Sequence, residues 1–110
     1  MIRINSKEGI WYKFIDYRFL HMARVVFRVY QKQDVIPTVT SAADGVHGPG
    51  SYHPDGLGWD FRVWGLSGLQ AVADEIREEL KTIDFHYDVV YGDSKHLDHI
   101  HIEFDERKVS

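Results

Sequence analysis

The sequence contains no cysteine, which removes disulfides, thiolate metal ligands and cysteine nucleophiles together. It has no basic excess: 13 Lys+Arg stand against 17 Asp+Glu, a formal net charge of −4. The electrostatic footprint of a nucleic-acid binder is therefore missing, and no nucleic-acid partner is expected. No apolar run approaches the ~20 residues needed to span a bilayer, so no membrane insertion is expected either. Near the start, Lys7, Glu8, Lys13 and Asp16 interrupt any stretch that could serve as a secretion signal. Repeats, low-complexity tracts and linkers are also lacking, and the 110 residues read as one domain. Apolar residues make up 44% and charged residues 27%, a balance that supports a folded core. What remains for chemistry is 7 histidines and the carboxylates.

Periodicity predicts two helices and about four strands. Over residues 16–33, Phe19, Ala23, Val26, Phe27 and Tyr30 recur at helical spacing, with Arg24, Arg28, Gln31 and Lys32 on the polar side. Pro37 stops that helix, and the β-branched run Thr38-Val39-Thr40 reads as a short strand. Residues 43–58 hold Gly45, Gly48, Pro49, Gly50, Pro54, Gly56 and Gly58, a loop long enough to suggest function. Residues 59–64 alternate, with Trp59, Phe61 and Val63 on one face and Asp60 and Arg62 on the other. A second helix is predicted over residues 67–81, and two more strands over 85–91 and 98–104. With no βαβ alternation, this pattern implies an α+β fold: a small, mainly antiparallel sheet against two helices. Ile100, Ile102 and Phe104 then join Trp59, Phe61 and Val63 in the core. Asp60, His99 and His101 share the opposite face.

His53, Asp60 and His101 are candidate ligands of one metal ion. Zinc accepts imidazole nitrogen and carboxylate oxygen, and its catalytic sites use three protein ligands plus water. The six residues between His53 and Asp60 let the loop turn back onto one ion. Taken alone that spacing is a weak signal. The wider string is more specific: Ser51-Tyr52-His53-Pro54-Asp55-Gly56-Leu57-Gly58-Trp59-Asp60 fits Ser-x-His-x-x-Gly-x-x-x-Asp, and Asp98-His99-Ile100-His101 follows near the end.

Both halves, in this order, resemble the zinc peptidases that include D-Ala-D-Ala carboxypeptidases, D-Ala-D-Ala dipeptidases and phage L-alanyl-D-glutamate endopeptidases, which share the Hedgehog/DD-peptidase fold. The resemblance spans roughly residues 38–104. It implies Zn2+ bound by His53, Asp60 and His101, with Asp98 as general base and His99 and His96 near the substrate. Ser51, Tyr52 and Arg62 are the expected substrate-binding residues. Strict strand alternation places Asp98 opposite His101, so this role requires a bend just before the last strand. Family members commonly carry an Arg upstream of the Ser-x-His segment to hold a substrate carboxylate. Residues 34–52 contain neither Arg nor Lys, which tilts the expectation from carboxypeptidase towards endopeptidase.

The function implied is hydrolysis of an amide bond in peptidoglycan stem peptides, by a protein made in the cytoplasm that reaches the cell wall when released, as a phage endolysin is. The alternative is a catalytically silent zinc-binding module of the same fold that binds a partner. Oligomeric state is not legible; a monomer is the default. A cupin-like reading of His99-Ile100-His101 fails because no His follows in the remaining nine residues. Blander readings apply elsewhere: His21 as a structural helix residue, His47 as a solvated loop residue, His86 as a strand residue that alternates with Tyr87 and could equally be exposed, and Trp59 and Trp64 as core or rim packing.

Overall fold

A computed structural model describes residues 2–10, 12, 16–42, 57–93 and 97–109. Helix α1 (Tyr17–Gln31) begins where Asp16 caps it, the carboxylate accepting from the Arg18 N–H at 2.9 Å. Such a cap contributes about 1 kcal/mol. The helix buries Phe19, Met22, Ala23, Val25, Val26, Val29 and Tyr30, while Phe27 from the expected stripe is only half-buried. Helix α2 (Leu69–Ile83) buries Val72, Ala73, Ile76 and Leu80. It starts two residues later than its periodicity suggests. Ser67 is engaged elsewhere, its N–H donating to Gln33 Oε1 at 2.9 Å, and Gly68 holds a left-handed φ of 62° at the cap.

Five strands form one sheet: β1 (Asn5–Ser6), β2 (Thr38–Ser41), β3 (Gly58–Arg62), β4 (Tyr87–Val90) and β5 (His99–Phe104). Their spatial order is β1-β2-β3-β5-β4, with β1 parallel to β2 and every other pair antiparallel. The protein is thus an α+β domain with two helices and a mainly antiparallel sheet. Strand β1 is an addition to the expected four. Its two residues carry no alternation signal, and they pair because Asn5 and Lys7 N–H groups reach the Pro37 and Val39 carbonyls.

Pleating sorts the strands cleanly into two faces. Val39, Trp59, Phe61, Tyr87, Val89, Ile100, Ile102 and Phe104 join the helix residues in one core. Full burial of each large side chain among them stabilises by about 1.5–3 kcal/mol. Phe19 meets Trp59 edge-on at 5.9 Å, and the Tyr30 hydroxyl donates to the Arg62 carbonyl at 2.9 Å, which ties α1 to β3. Among the described residues, no helix is long and apolar enough to cross a membrane.

Candidate functional site

The other face of β3 and β5 is polar, and register sets its residues in rows. Asp60 lies opposite His101, Arg62 opposite His99 and Gly58 opposite Glu103; on the far side of β5, Asp88 lies opposite Glu103. Rows two residues apart along a strand are separated by about 6.6–6.8 Å. One sheet face therefore presents, in succession, an acidic row, an Asp–His row and an Arg–His row.

Within the middle row, His101 Nδ1 lies 2.8 Å from Asp60 Oδ1, and His101 Nε2 lies 2.9 Å from Glu103 Oε1. His101 is buried, 8% exposed, so both ring nitrogens are occupied by carboxylates in a shielded position. His99 extends the array: its Nδ1 is 2.6 Å from Asp98 Oδ1 and its Nε2 is 3.6 Å from Asp60 Oδ1. Acid and imidazole alternate from Asp98 through His99, Asp60 and His101 to Glu103.

Burial by itself disfavours the imidazolium form of His101. The hydrogen bonds and charges of Asp60 and Glu103 outweigh it, and the His101 pKa is pushed up to about 9. The two carboxylates that hold this proton are the groups that would otherwise neutralise a cation beside the ring. Asp98 is shifted in the other direction. The hydrogen bond from His99, with its charge, holds this carboxyl below the usual carboxylate range.

Asp98 lies in a bend immediately before β5, outside the regular pleat. Strand alternation does not govern it there, and it lines the same small pocket as His99 and Arg62. Of the predicted site residues, the structure brings Asp60, His101, His99, Asp98 and Arg62 onto one side of the sheet. His53, Ser51, Tyr52 and His96, with the loop residue His47, lie outside the described residues.

The donors present, imidazole and carboxylate, are types that zinc and other first-row divalent ions accept. Asp60 and His101 are two of the three expected ligands and are already adjacent. Two atoms on one tetrahedral ion at ~2.1 Å lie roughly 3.4 Å apart, so the pair would open by about half an ångström. Among the described residues, the group of three whose ligand atoms all lie within 4.8 Å of one another is Asp88, Glu103 and Asp105, which could hold a metal ion. Its oxygens suit a hard cation better than zinc, and Lys81 and Lys108 already pair with Asp88.

Glu103 is the residue that sequence reading missed. The signal was available, because Glu103 stands two positions after His101 on a strand and so shares its face. Lys7 was also missed and carried no such signal, since only the β1–β2 pairing brings it to the sheet. Of the two tryptophans expected in core or rim packing, Trp59 is in the core and Trp64 is 68% exposed, with the Arg62 guanidinium 3.8 Å from its ring centroid. His86 is half-buried and stacks on Phe104. No protein-family model, curated protein or solved structure matches the chain.

Proposed function

We propose that this protein is a zinc-dependent hydrolase of amide bonds in peptidoglycan stem peptides, with a Hedgehog/DD-peptidase-like fold. The observation that carries this reading is the cross-strand pair of Asp60 and His101, their donor atoms 2.8 Å apart, with Asp98 at the entry to the same strand. The sequence resemblance supplies the substrate class and the third ligand, His53. A bound zinc ion would supply Lewis acidity and a water ionising near neutral pH.

The chain's own residues divide the remaining work. With zinc bound, Glu103 would accept a proton on His101 Nε2 and hold the ring, so that Nδ1, on the Asp60 side, would be the nitrogen free to hold the ion. Asp98 is exposed and ionised at neutral pH, so it can take a proton from water and return it to the leaving nitrogen. His99, hydrogen-bonded to Asp98, orients that carboxylate and stands beside Asp60. The polar sheet face thus combines a metal-binding pair with a proton carrier.

The test is mass spectrometry of purified muropeptides after incubation with zinc-loaded protein, with Asp98→Asn in parallel. New fragments with the unmodified chain, and a loss of turnover of about 100-fold or more in Asp98→Asn with zinc content unchanged, are expected. Their masses name the scissile bond. Absence of fragments from protein holding one zinc would refute the peptidase reading and favour a binding module.

A further inference from the structure

On the helix side of the sheet, away from the Asp60–His101 pair, a cavity of about 540 Å³ opens between the N-terminal segment and the first turns of α1. Pockets that hold small molecules run from ~300 to 1,000 Å³. Ile2, Ile4, Phe19 and Leu20 supply apolar lining, while the polar groups are Tyr17, His21 and Arg24. Those three stand at i, i+4 and i+7 of α1 and share one face of it. Ile2, Tyr17 and Leu20 are 49%, 59% and 60% exposed, so large apolar surface is left uncovered around one cavity.

Arg24 is the odd member of its helix face. Lys32 pairs with Glu75 and Arg28 with Glu79, a ladder that descends α1 by four residues as it climbs α2 by four. Its next step meets Arg24 and Ile83, and Ile83 offers no carboxylate. Among the described residues Arg24 has no acidic partner; its Nη2 donates to His21 Nδ1 at 3.2 Å. The His21 ring in turn lies edge-on to Tyr17, with centroids 6.2 Å apart. The cation is thus held at its tip, beside apolar surface, with its charge unmatched.

We propose that this cavity binds an aliphatic monocarboxylate, its acid group on Arg24 and its chain along Ile2, Ile4, Phe19 and Leu20. Charge decides the head group. A single guanidinium, with one N–H committed to His21 and the rest of its fork open, matches the two oxygens of one carboxylate. The lining decides the remainder of the ligand. A peptide would set its amide groups against Ile and Leu side chains that accept no hydrogen bond, a cost that an aliphatic chain avoids. A small inorganic anion would leave the apolar lining wet, and a neutral hydrocarbon would leave the cation unmatched. Each methylene that is fully buried raises affinity about three- to fourfold. The chain therefore supplies most of the affinity, and Arg24 selects the acid. This site shares no residue with the Asp60–His101 array and stands independently of the peptidase reading.

The full-length chain is titrated separately with octanoate, octanamide and acetate, following the Ile2, Ile4 and Leu20 methyl signals and the Arg24 side-chain N–H by NMR. Octanoate should give saturable shifts at all four positions. Octanamide should bind about tenfold or more weakly, because it cannot pair with the guanidinium. Acetate keeps the charge without the chain and should bind on the order of 100-fold more weakly. Arg24→Gln should erase the preference for acid over amide and keep the dependence on chain length. Leu20→Gln should weaken acid and amide alike and keep the preference; both side chains are exposed, so the fold tolerates either change. Absence of octanoate shifts at these signals, equal binding of octanoate and octanamide, or an acid preference that survives Arg24→Gln would overturn the site, as would acetate binding as tightly as octanoate. Shifts of the same methyls with protein concentration alone, together with a dimer in sedimentation, would assign the face to a second copy of the chain and overturn it too.

Discussion

The metal-free chain should lose stability as the pH rises from about 6.5 to 9, and His101 is the cause. Its imidazole is wedged between Asp60 and Glu103, and its pKa is about 9 in the folded chain against an ordinary value near 6.5 when unfolded. Below pH 6.5 both states hold the proton, and the folded state keeps the full benefit of the paired imidazolium. Between the two values the folded chain holds a proton that the unfolded chain has released, so stability falls with pH and the contribution is gone above 9. Each pKa unit corresponds to about 1.4 kcal/mol, and the whole shift to about 3 kcal/mol. Against a total stability of about 5–15 kcal/mol this is a large fraction, equivalent to a Tm change on the order of 10 °C. Urea melts of chelator-treated protein at pH 6, 7.5 and 9, followed by tryptophan fluorescence, measure it directly. His101→Asn cannot titrate and should lose the slope over that window. A flat wild-type profile, or the same slope in His101→Asn, would refute the idea that Asp60 and Glu103 hold a proton on this ring.

Further expectations concern the metal pair and the scaffold. Glu103→Gln should weaken zinc binding by about 10–100-fold, because the acceptor that fixes the His101 tautomer loses its charge; competition with a chromophoric chelator reads this, and unchanged affinity would remove Glu103 from the site. Ile100→Ala should cost about 2–5 kcal/mol in urea unfolding, since Ile100 of β5 is fully buried in the core. A cost under 1 kcal/mol would contradict the assigned register. Asp16→Ala should cost about 1 kcal/mol through loss of the α1 cap, detectable as a lowered urea midpoint at unchanged m-value.

Alternation in Trp59–Val63 and Ile100–Phe104 was enough to identify the core face of the central strands, because a half-buried strand has a period of two and no competing explanation. The same pattern placed Asp60, Arg62, His99 and His101 together on the polar face. Both helices were legible from their apolar stripes, with ends shifted where Ser67 and Gln33 prefer each other. Strand β1 was not legible: two exposed polar residues reveal nothing until a neighbour offers carbonyls at the right spacing. Nor was the position of Asp98, since the bend that frees it from alternation is a property of the turn preceding β5 and not of the strand.

By itself, then, the sequence determined the α+β class, the two amphipathic helices, the faces of the central strands and the set of residue types able to hold a cation, because each follows from local period and side-chain chemistry. Only the tertiary structure decided which groups meet. Antiparallel register set Asp60 against His101 and Glu103 beside it, turning three ordinary side chains into a buried array with a strongly raised imidazole pKa. Strand order brought Lys7 to Arg62 across β2, joining residues 55 positions apart in a single pocket. Pairing of distant segments is a sum of many weak contacts over the whole sheet, and no short window of sequence contains it.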